Sequence, residues 1–531
     1  MALMAVLAVG SLTSCGSSKA KVTIPTGSLV TLVGDMPGLC DAVSFPFNIT
    51  DLVLTGPSGN GETTASTVPI NASSVTAPNI RINLSCLRDF TTPLSMGTAN
   101  VGTYNLAQIY LAEPSLTFYD PTILPPSLPI NAAQLTMNPL KLYRLPVNPP
   151  LVISKGSASV LQIDFDMLHM IQSITLNPTN DKVTVFATPE VTFTPLVSAG
   201  SAGQGFGELD DLVGFVRSVT LPPPVPLTQY NGSFNLQLLS ASITAAPVAT
   251  IYLNDSSQLY GFSNLNQVNT DDFMEVDAYI DVDGNFVATS VEDEYTECIP
   301  SGASPLPCPP PPTTGGTQPP ILAIIGPVTS LTRDARGNVT SFSLWARDVE
   351  PNDPAAVELN TIPVVNLSSS TLYQYSSRSV NFADLPFGPA NINVGQEVIV
   401  HGEVIAPSGA SGSGAPALPT EVTAYKVYDK LQSTQGSFGA LLQVGSDNKT
   451  GAFTFTPCGV MYQNTPAIVL TSSQTNFVNL TGLSSLSGAP ASPTLLVKGL
   501  PFYEVQAQTI SGISVPAGTL VILAKQVHQL Q

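Results

Sequence analysis

Apolar positions in this chain fall in short β-branched runs that alternate with polar residues and are cut by Pro, Gly and Asn, and almost no stretch keeps helical spacing through three turns. Alternation puts successive side chains on opposite faces of an extended strand, so the pattern predicts an all-β protein. Ser28 to Val33, Val43 to Leu54, Tyr104 to Tyr119, Val160 to Phe165 and Lys182 to Phe193 read as strands or strand pairs. They lie within residues 21–205, a span that suits one β-sandwich. Gly200 to Gly207, with four glycines among small polar residues, reads as a hinge. Its Gly203-x-Gly205-x-Gly207 is not a phosphate loop, because no helix follows and no Lys is present.

An internal repeat follows. Leu212-Val-Gly-Phe-Val-Arg-Ser-Val-Thr220 aligns with Ile324-Ile-Gly-Pro-Val-Thr-Ser-Leu-Thr332, Phe234-Asn-Leu236 with Phe342-Ser-Leu344, and Ser256-Ser-Gln-Leu-Tyr260 with Ser369-Ser-Thr-Leu-Tyr373. A divergent third copy carries Ser472-Ser473, Phe477 and Leu495-Leu-Val-Lys-Gly499. All three copies end in Ala-x-x-Val, at Ala288 to Val291, Ala424 to Val427 and Ala524 to Val527. The expected modules are residues 206–297, 321–430 and 431–531, each long enough for a small closed barrel that leaves no exposed edge. A Pro- and Gly-rich linker, 298–320, separates the first two, and Gly409 to Pro419 reads as a flexible insertion in the second.

Residues 1–14 read as a signal peptide and 15–20 as a tether. Ala2 to Leu12 is an apolar run of eleven residues, enough for a signal h-region and short of the ~20 that span a membrane. It ends in Leu12-Thr-Ser-Cys15, which resembles a bacterial lipobox, with Cys15 as the lipidated residue; no Lys or Arg precedes it, the one departure from the pattern. Acyl chains at ~0.8 kcal/mol per buried methylene would hold the protein on a membrane. With Gly16 rather than Asp after Cys15, the expected address is the outer membrane of the cell envelope.

Composition narrows the function. Net charge is −19, from 18 basic and 37 acidic residues, which repels phosphate backbones and makes nucleic acid an unsuitable partner. Five thiols besides Cys15 remain. Cys40 with Cys86 would staple the first domain and Cys298 with Cys308 would close a Pro-rich loop, leaving Cys458 over. No Cys-x-x-Cys occurs, so zinc is not expected.

Asp35-Met-Pro37, the Val43-Ser-Phe45 to Leu54 strand pair, Gly102-Thr-Tyr104 and Leu161-Gln-Ile-Asp-Phe-Asp166 resemble a domain of unknown function found in bacterial lipoproteins. The three repeats resemble a second family of unknown function, of small barrel modules that commonly follow it. The resemblance implies an envelope lipoprotein and implies no catalytic residue.

The sequence carries few motifs with a defined chemistry. His169, His401 and His528 neighbour no triad or metal-ligand pattern, and Ser446-Asp-Asn-Lys449 reads as a hairpin turn between Leu441 to Val444 and Ala452 to Phe455. Asp164 and Asp166 flank Phe165 on one strand face; such a pair forms a polar outer face or a buried hydrogen-bonded pair, or else grips a cation or serves glycoside hydrolysis. Tyr373 and Tyr375 share a face and read as barrel packing before a sugar platform, and Trp345 is the single Trp. Residues 206–297 hold 14 acidic residues and 1 basic, a net of −13. Within them Glu275, Asp277 and Asp281 fall on one strand face, where repulsion calls for solvent or for a bound cation, calcium with water completing the shell. The sequence therefore predicts a non-catalytic, lipid-anchored envelope scaffold with a polysaccharide or protein ligand. The alternative is a hydrolase acting on glycans through carboxylates of the first domain.

Overall fold

The computed structural model describes residues 25–35, 40–57, 63–68, 80–87, 90–119, 130–131, 134–137, 143–177, 182–187, 190–197, 205–221, 229–238, 248–293, 321–350, 357–376, 385–405, 420–459, 462, 467–488 and 493–530. Cys15, Cys298, Cys308, the 298–320 linker and Gly409 to Pro419 lie outside them. The architecture is all-β, with helix among the described residues limited to short turns such as Met167–Met170.

The N-terminal module is a sandwich whose two sheets meet along one strand. Thr63–Val68, Pro46–Pro57, Gly102–Ala112 and Tyr143–Ile153 form one sheet; Val191–Leu196, Ala158–Phe165, Thr26–Asp35 and Thr91–Asn100 form the other, in those orders. The bridge is a single residue pair, Val147 with Phe193. Phe47 and Phe165 lie four strands apart in that continuous order, roughly 19 Å on a flat sheet, yet their ring centroids are 5.0 Å apart. The sheets therefore face each other across one core, filled from Ala158–Phe165 by Leu161, Ile163 and Phe165. Gln162 and Asp164 point away from it.

Each repeat closes a five-stranded ring. The first uses Gly207–Thr220, Ser233–Leu238, Val248–Tyr252, Phe273–Ile280 and Phe286–Asp293. The second uses Ile321–Arg333, Val339–Leu344, Val364–Asn366, Glu397–Ile405 and Glu421–Asp429, and the third Gln432–Val444, Gly451–Pro457, Ala467–Thr471, Thr494–Glu504 and Thr519–Gln529. In all three the ring order is 1-2-3-5-4, closed by parallel pairing of strands three and five. This is a Greek-key ring of the kind seen in OB-type barrels.

The repeated sequence signature has a structural cause. Strands four and five are interrupted by a β-bulge at the Ala of Ala-x-x-Val, where Ala288 faces Ala278, Ala424 faces Gly402 and Ala524 faces Gly499. A bulge leaves a ladder carbonyl unpaired. A hydroxyl from the preceding turn satisfies it: Ser257 Oγ donates to Ala288 O at 2.7 Å, and Thr371 and Thr475 Oγ1 donate to Ala424 and Ala524 O at 2.9 Å. The same oxygens accept from the backbone N–H three residues earlier, on Asn254, Ser368 and Ser472. A Cβ at Gly402 or Gly499 would lie 2.6 or 2.4 Å from a carbonyl of strand five, so these approaches require Gly. The ladder also corrects the repeat alignment by one residue: Leu259 pairs with Val291 as Tyr373 pairs with Val427, so Leu259 corresponds to Tyr373 and not to Leu372.

The four modules pack as one body. Val30, Leu32 and Val160 of the sandwich join the core of the first barrel. Val213, Phe215 and Phe273 of that barrel pack on Ala323, Ile325, Ile399 and Tyr428 of the second, whose core continues into the third through Leu470, Leu500 and Phe502. Trp345 of the second barrel meets Val43 and Tyr119 of the sandwich. The cysteine pairing differs from the expected one: Cys40 is bonded to Cys458, 418 residues away with Cα atoms 5.7 Å apart, and not to Cys86. Cys458, expected to be left over, thus ties the sandwich to the third barrel.

Two outcomes follow from these contacts. Thr475→Val removes a buried donor and acceptor together and should cost about 1–3 kcal/mol, read as a lower denaturation midpoint, whereas Thr475→Ser should retain most of it. A non-reduced digest should yield the Cys40 and Cys458 peptides joined. Reduction should then lower the melting temperature, since closing so long a loop contributes up to about 6 kcal/mol in the chain-entropy treatment.

Candidate functional site

A cleft of about 630 Å³ opens where the sandwich, the first barrel and the third barrel meet. Its sandwich wall is set by strand register. Thr26–Asp35 and Ala158–Phe165 pair in parallel, Val30 with Val160, Leu32 with Gln162 and Gly34 with Asp164. Because alternate residues share a face, one row leads from Val30 and Val160, buried under the first barrel, to Leu32, Gln162, Gly34 and Asp164 in the cleft. Phe206, Glu208 and Asp210 enter from the start of the first barrel, and Gln474, Asn476, Lys498 and Gln526 from the third. Asn476 Nδ2 donates to Gln526 Oε1 at 3.1 Å.

Charge is concentrated at the back. Lys498 Nζ lies 3.2 Å from Asp210 Oδ2, and Lys525 Nζ lies 3.0 Å from Asp210 Oδ1 and 3.3 Å from Asp277 Oδ2. Burial works against ionisation of Asp210, but Lys525 and Lys498 outweigh it and hold its carboxyl at about 2. Burial likewise opposes the charge on Lys525, and Asp277 and Asp210 overcome it and raise its pKa. Phe90 of the sandwich lies 4.4 Å from Lys498 Nζ, ring centroid to nitrogen, a cation–π contact on the cleft wall.

Of the carboxylate pair singled out in the sequence, Asp164 lines the cleft and Asp166 does not. Asp166 caps the turn Met167–Met170, accepting from the His169 backbone N–H, and its other oxygen meets the His169 ring. The proposed cation ligands Glu275, Asp277 and Asp281 are not gathered: among the described residues no three His, Cys, Asp or Glu side chains form a metal-binding group. The repulsion that suggested calcium is answered at Asp277 by Lys525 of the third barrel, a partner that local sequence does not display. Asp281 Oδ1 accepts from the N–H groups of Asp283 and Asn285, both at 2.9 Å, and Tyr230 meets its other oxygen. That turn presses on the sandwich, since a Cβ at Gly284, whose φ is +83°, would lie 2.8 Å from Ala158 Cβ. Glu275 stands opposite Glu292, which accepts from Gln374 Nε2 of the second barrel at 2.7 Å.

The remaining candidates are structural. Tyr373 and Tyr375 pack against Phe387, with centroids 6.2 and 5.5 Å away, and form no open platform. His401 is sealed between Phe273 of the first barrel and Tyr428, and burial, with Lys426 nearby, lowers its pKa to about 3. His528 lies 3.2 Å from Asn479 Nδ2. Ser446 to Lys449 does form the turn between Gln432–Val444 and Gly451–Pro457, with Asp447 accepting from the Lys449 and Thr450 N–H groups. A second cavity, beside Cys40–Cys458, measures about 70 Å³ and has room for a few waters rather than an organic ligand.

Asp210, Lys498, Lys525 and the cleft amides escaped sequence reading. One signal existed: Lys498 interrupts the apolar run Leu495-Leu-Val, and a buried strand carries a cation only when an anion meets it. No protein-family model, no curated protein and no solved structure matches the chain.

Removing Lys525 alone, as Lys525→Met, leaves Asp210 and Asp277 short of a cation and should destabilise the protein by about 3–5 kcal/mol in chemical denaturation. Acid should act through Asp210 in a defined window. Its folded pKa, about 2, lies below the ordinary carboxylate value of 3.8, so the unfolded chain binds more protons between those limits. Stability from this group is then full above about pH 4 and lost toward pH 2, on the order of 2 kcal/mol. Asp210→Asn should flatten that limb of the stability–pH curve.

Proposed function

We propose that this chain is a non-catalytic, lipid-anchored scaffold of the bacterial cell envelope, which holds a ligand in the cleft between its sandwich and its first and third barrels. One observation carries the reading: the cleft is assembled by three modules, yet Asp210, its most strongly paired carboxylate, is held ionised by two lysines. Glycoside hydrolysis by paired carboxyls needs one that gives up and regains a proton near neutral pH. Asp210 does not meet that need, and Asp166, the partner suggested for Asp164, caps a turn outside the cleft. The anchor reading rests on the apolar run Ala2 to Leu12 ending at Leu12-Thr-Ser-Cys15. The hydrolase reading keeps one point in its favour, the presence of Asp164 together with Glu208 in the cleft wall.

Two measurements test the proposal. In detergent phase partitioning the wild-type chain should enter the detergent phase and Cys15→Ser the aqueous phase; aqueous partitioning of both would remove the anchor. Incubated with insoluble envelope and extracellular polysaccharides, the full chain should co-sediment with a ligand and release no reducing ends. Reducing-end release that Asp164→Asn abolishes would replace the scaffold with a hydrolase.

A further inference from the structure

The ligand class can be read from the cleft wall, on the premise that the cleft is the binding site of the scaffold. We propose that it takes a neutral, polyhydroxylated chain, an uncharged glycan segment, rather than an anionic or cationic polymer. The polar side chains that reach the cleft from the sandwich and the third barrel include the primary amides of Gln162, Gln474, Asn476 and Gln526. An amide carries donors and an acceptor together, the dual character of a hydroxyl group, and the bond from Asn476 Nδ2 to Gln526 Oε1 uses one of each. Charge excludes anions: three carboxylates, Asp164, Glu208 and Asp210, face the cleft against one ammonium, Lys498. Toward a cation the lining is weaker than its carboxylate count, because Asp210 already meets two lysines, Lys498 and Lys525, and only Asp164 and Glu208 remain for it to meet. Apolar surface from the half-buried Leu196 and Phe206 supplies the faces on which the C–H side of a sugar ring rests. The volume, about 630 Å³, lies within the range of organic-ligand sites.

The amides come from two modules that are far apart in sequence and are tied together by Cys40–Cys458. A ligand spanning the cleft therefore touches both ends of the chain, and its affinity depends on their juxtaposition.

The test is calorimetric titration of the full chain with cello-, malto-, laminari-, xylo- and mannohexaose, and with hexalysine, each at 50 and 500 mM NaCl. At least one neutral hexaose should bind, with an affinity that changes less than twofold between the two salts. Gln162→Ala and Gln474→Ala should each weaken it about tenfold or more, with melting temperatures unchanged because Gln162 is only half-buried and Gln474 is exposed. Binding of hexalysine alone, lost at high salt, would overturn the ligand class while leaving a binding scaffold in place. Failure of all five hexaoses, or hexaose binding indifferent to both substitutions, would overturn the proposal. Hydrolysis of a bound hexaose would instead overturn the non-catalytic reading on which it rests.

Discussion

The first barrel carries a net of −13 within residues 206–297 and is nevertheless packed against three neighbours, and lysines of the third barrel reach two of its carboxylates, Asp210 and Asp277, where it does so. Taking a carboxylate out of water costs several kcal/mol, and only a well-placed counter-charge with hydrogen bonds offsets it. Lys498 and Lys525 supply that counter-charge to Asp210 and Asp277. The back wall of the cleft, the seating of the third barrel on the first and the position of Phe90 beside Lys498 all hang on this four-charge arrangement.

The repeat makes such an arrangement available by keeping a frame and varying one position. In strand four, the residue following the Val that pairs with the Ala-x-x-Val valine is Asp277 in the first barrel, His401 in the second and Lys498 in the third. All three sit at contacts between barrels: Asp277 on Lys525, His401 on Phe273 and Lys498 on Asp210. The frame around them, bulge, small residue and Ser or Thr hydroxyl, is the same in each copy because the unpaired carbonyl at the bulge must be satisfied every time. Divergence at a constant outward position thus gives three like barrels unlike contact surfaces.

The cleft arises as a by-product of this packing. A barrel set against the flat outer face of a sandwich sheet covers only part of it, so the row beginning at Val30 and Val160 runs out from under the barrel and becomes polar at Gln162 and Asp164. The third barrel, drawn in by its lysines and by Cys458, covers the opposite side. The disulfide closes the circuit of modules and keeps the two amide-bearing walls in register.

Local periodicity determined much of this protein. All-β structure, the three repeats, the inward Leu161, Ile163 and Phe165 against outward Gln162 and Asp164, and the turn at Ser446 to Lys449 are consequences of side-chain alternation and turn chemistry, which act over a few residues and are therefore visible in sequence. Tertiary structure decided what depends on partners far along the chain. Cys40 takes Cys458 and not Cys86, Asp277 meets Lys525 of another module, Asp166 turns to His169 while Asp164 faces the cleft, and Leu259 is matched to Tyr373 by ladder register. Spacing carries no information on such pairs, because burial and charge compensation select them only after the barrels and the sandwich have packed.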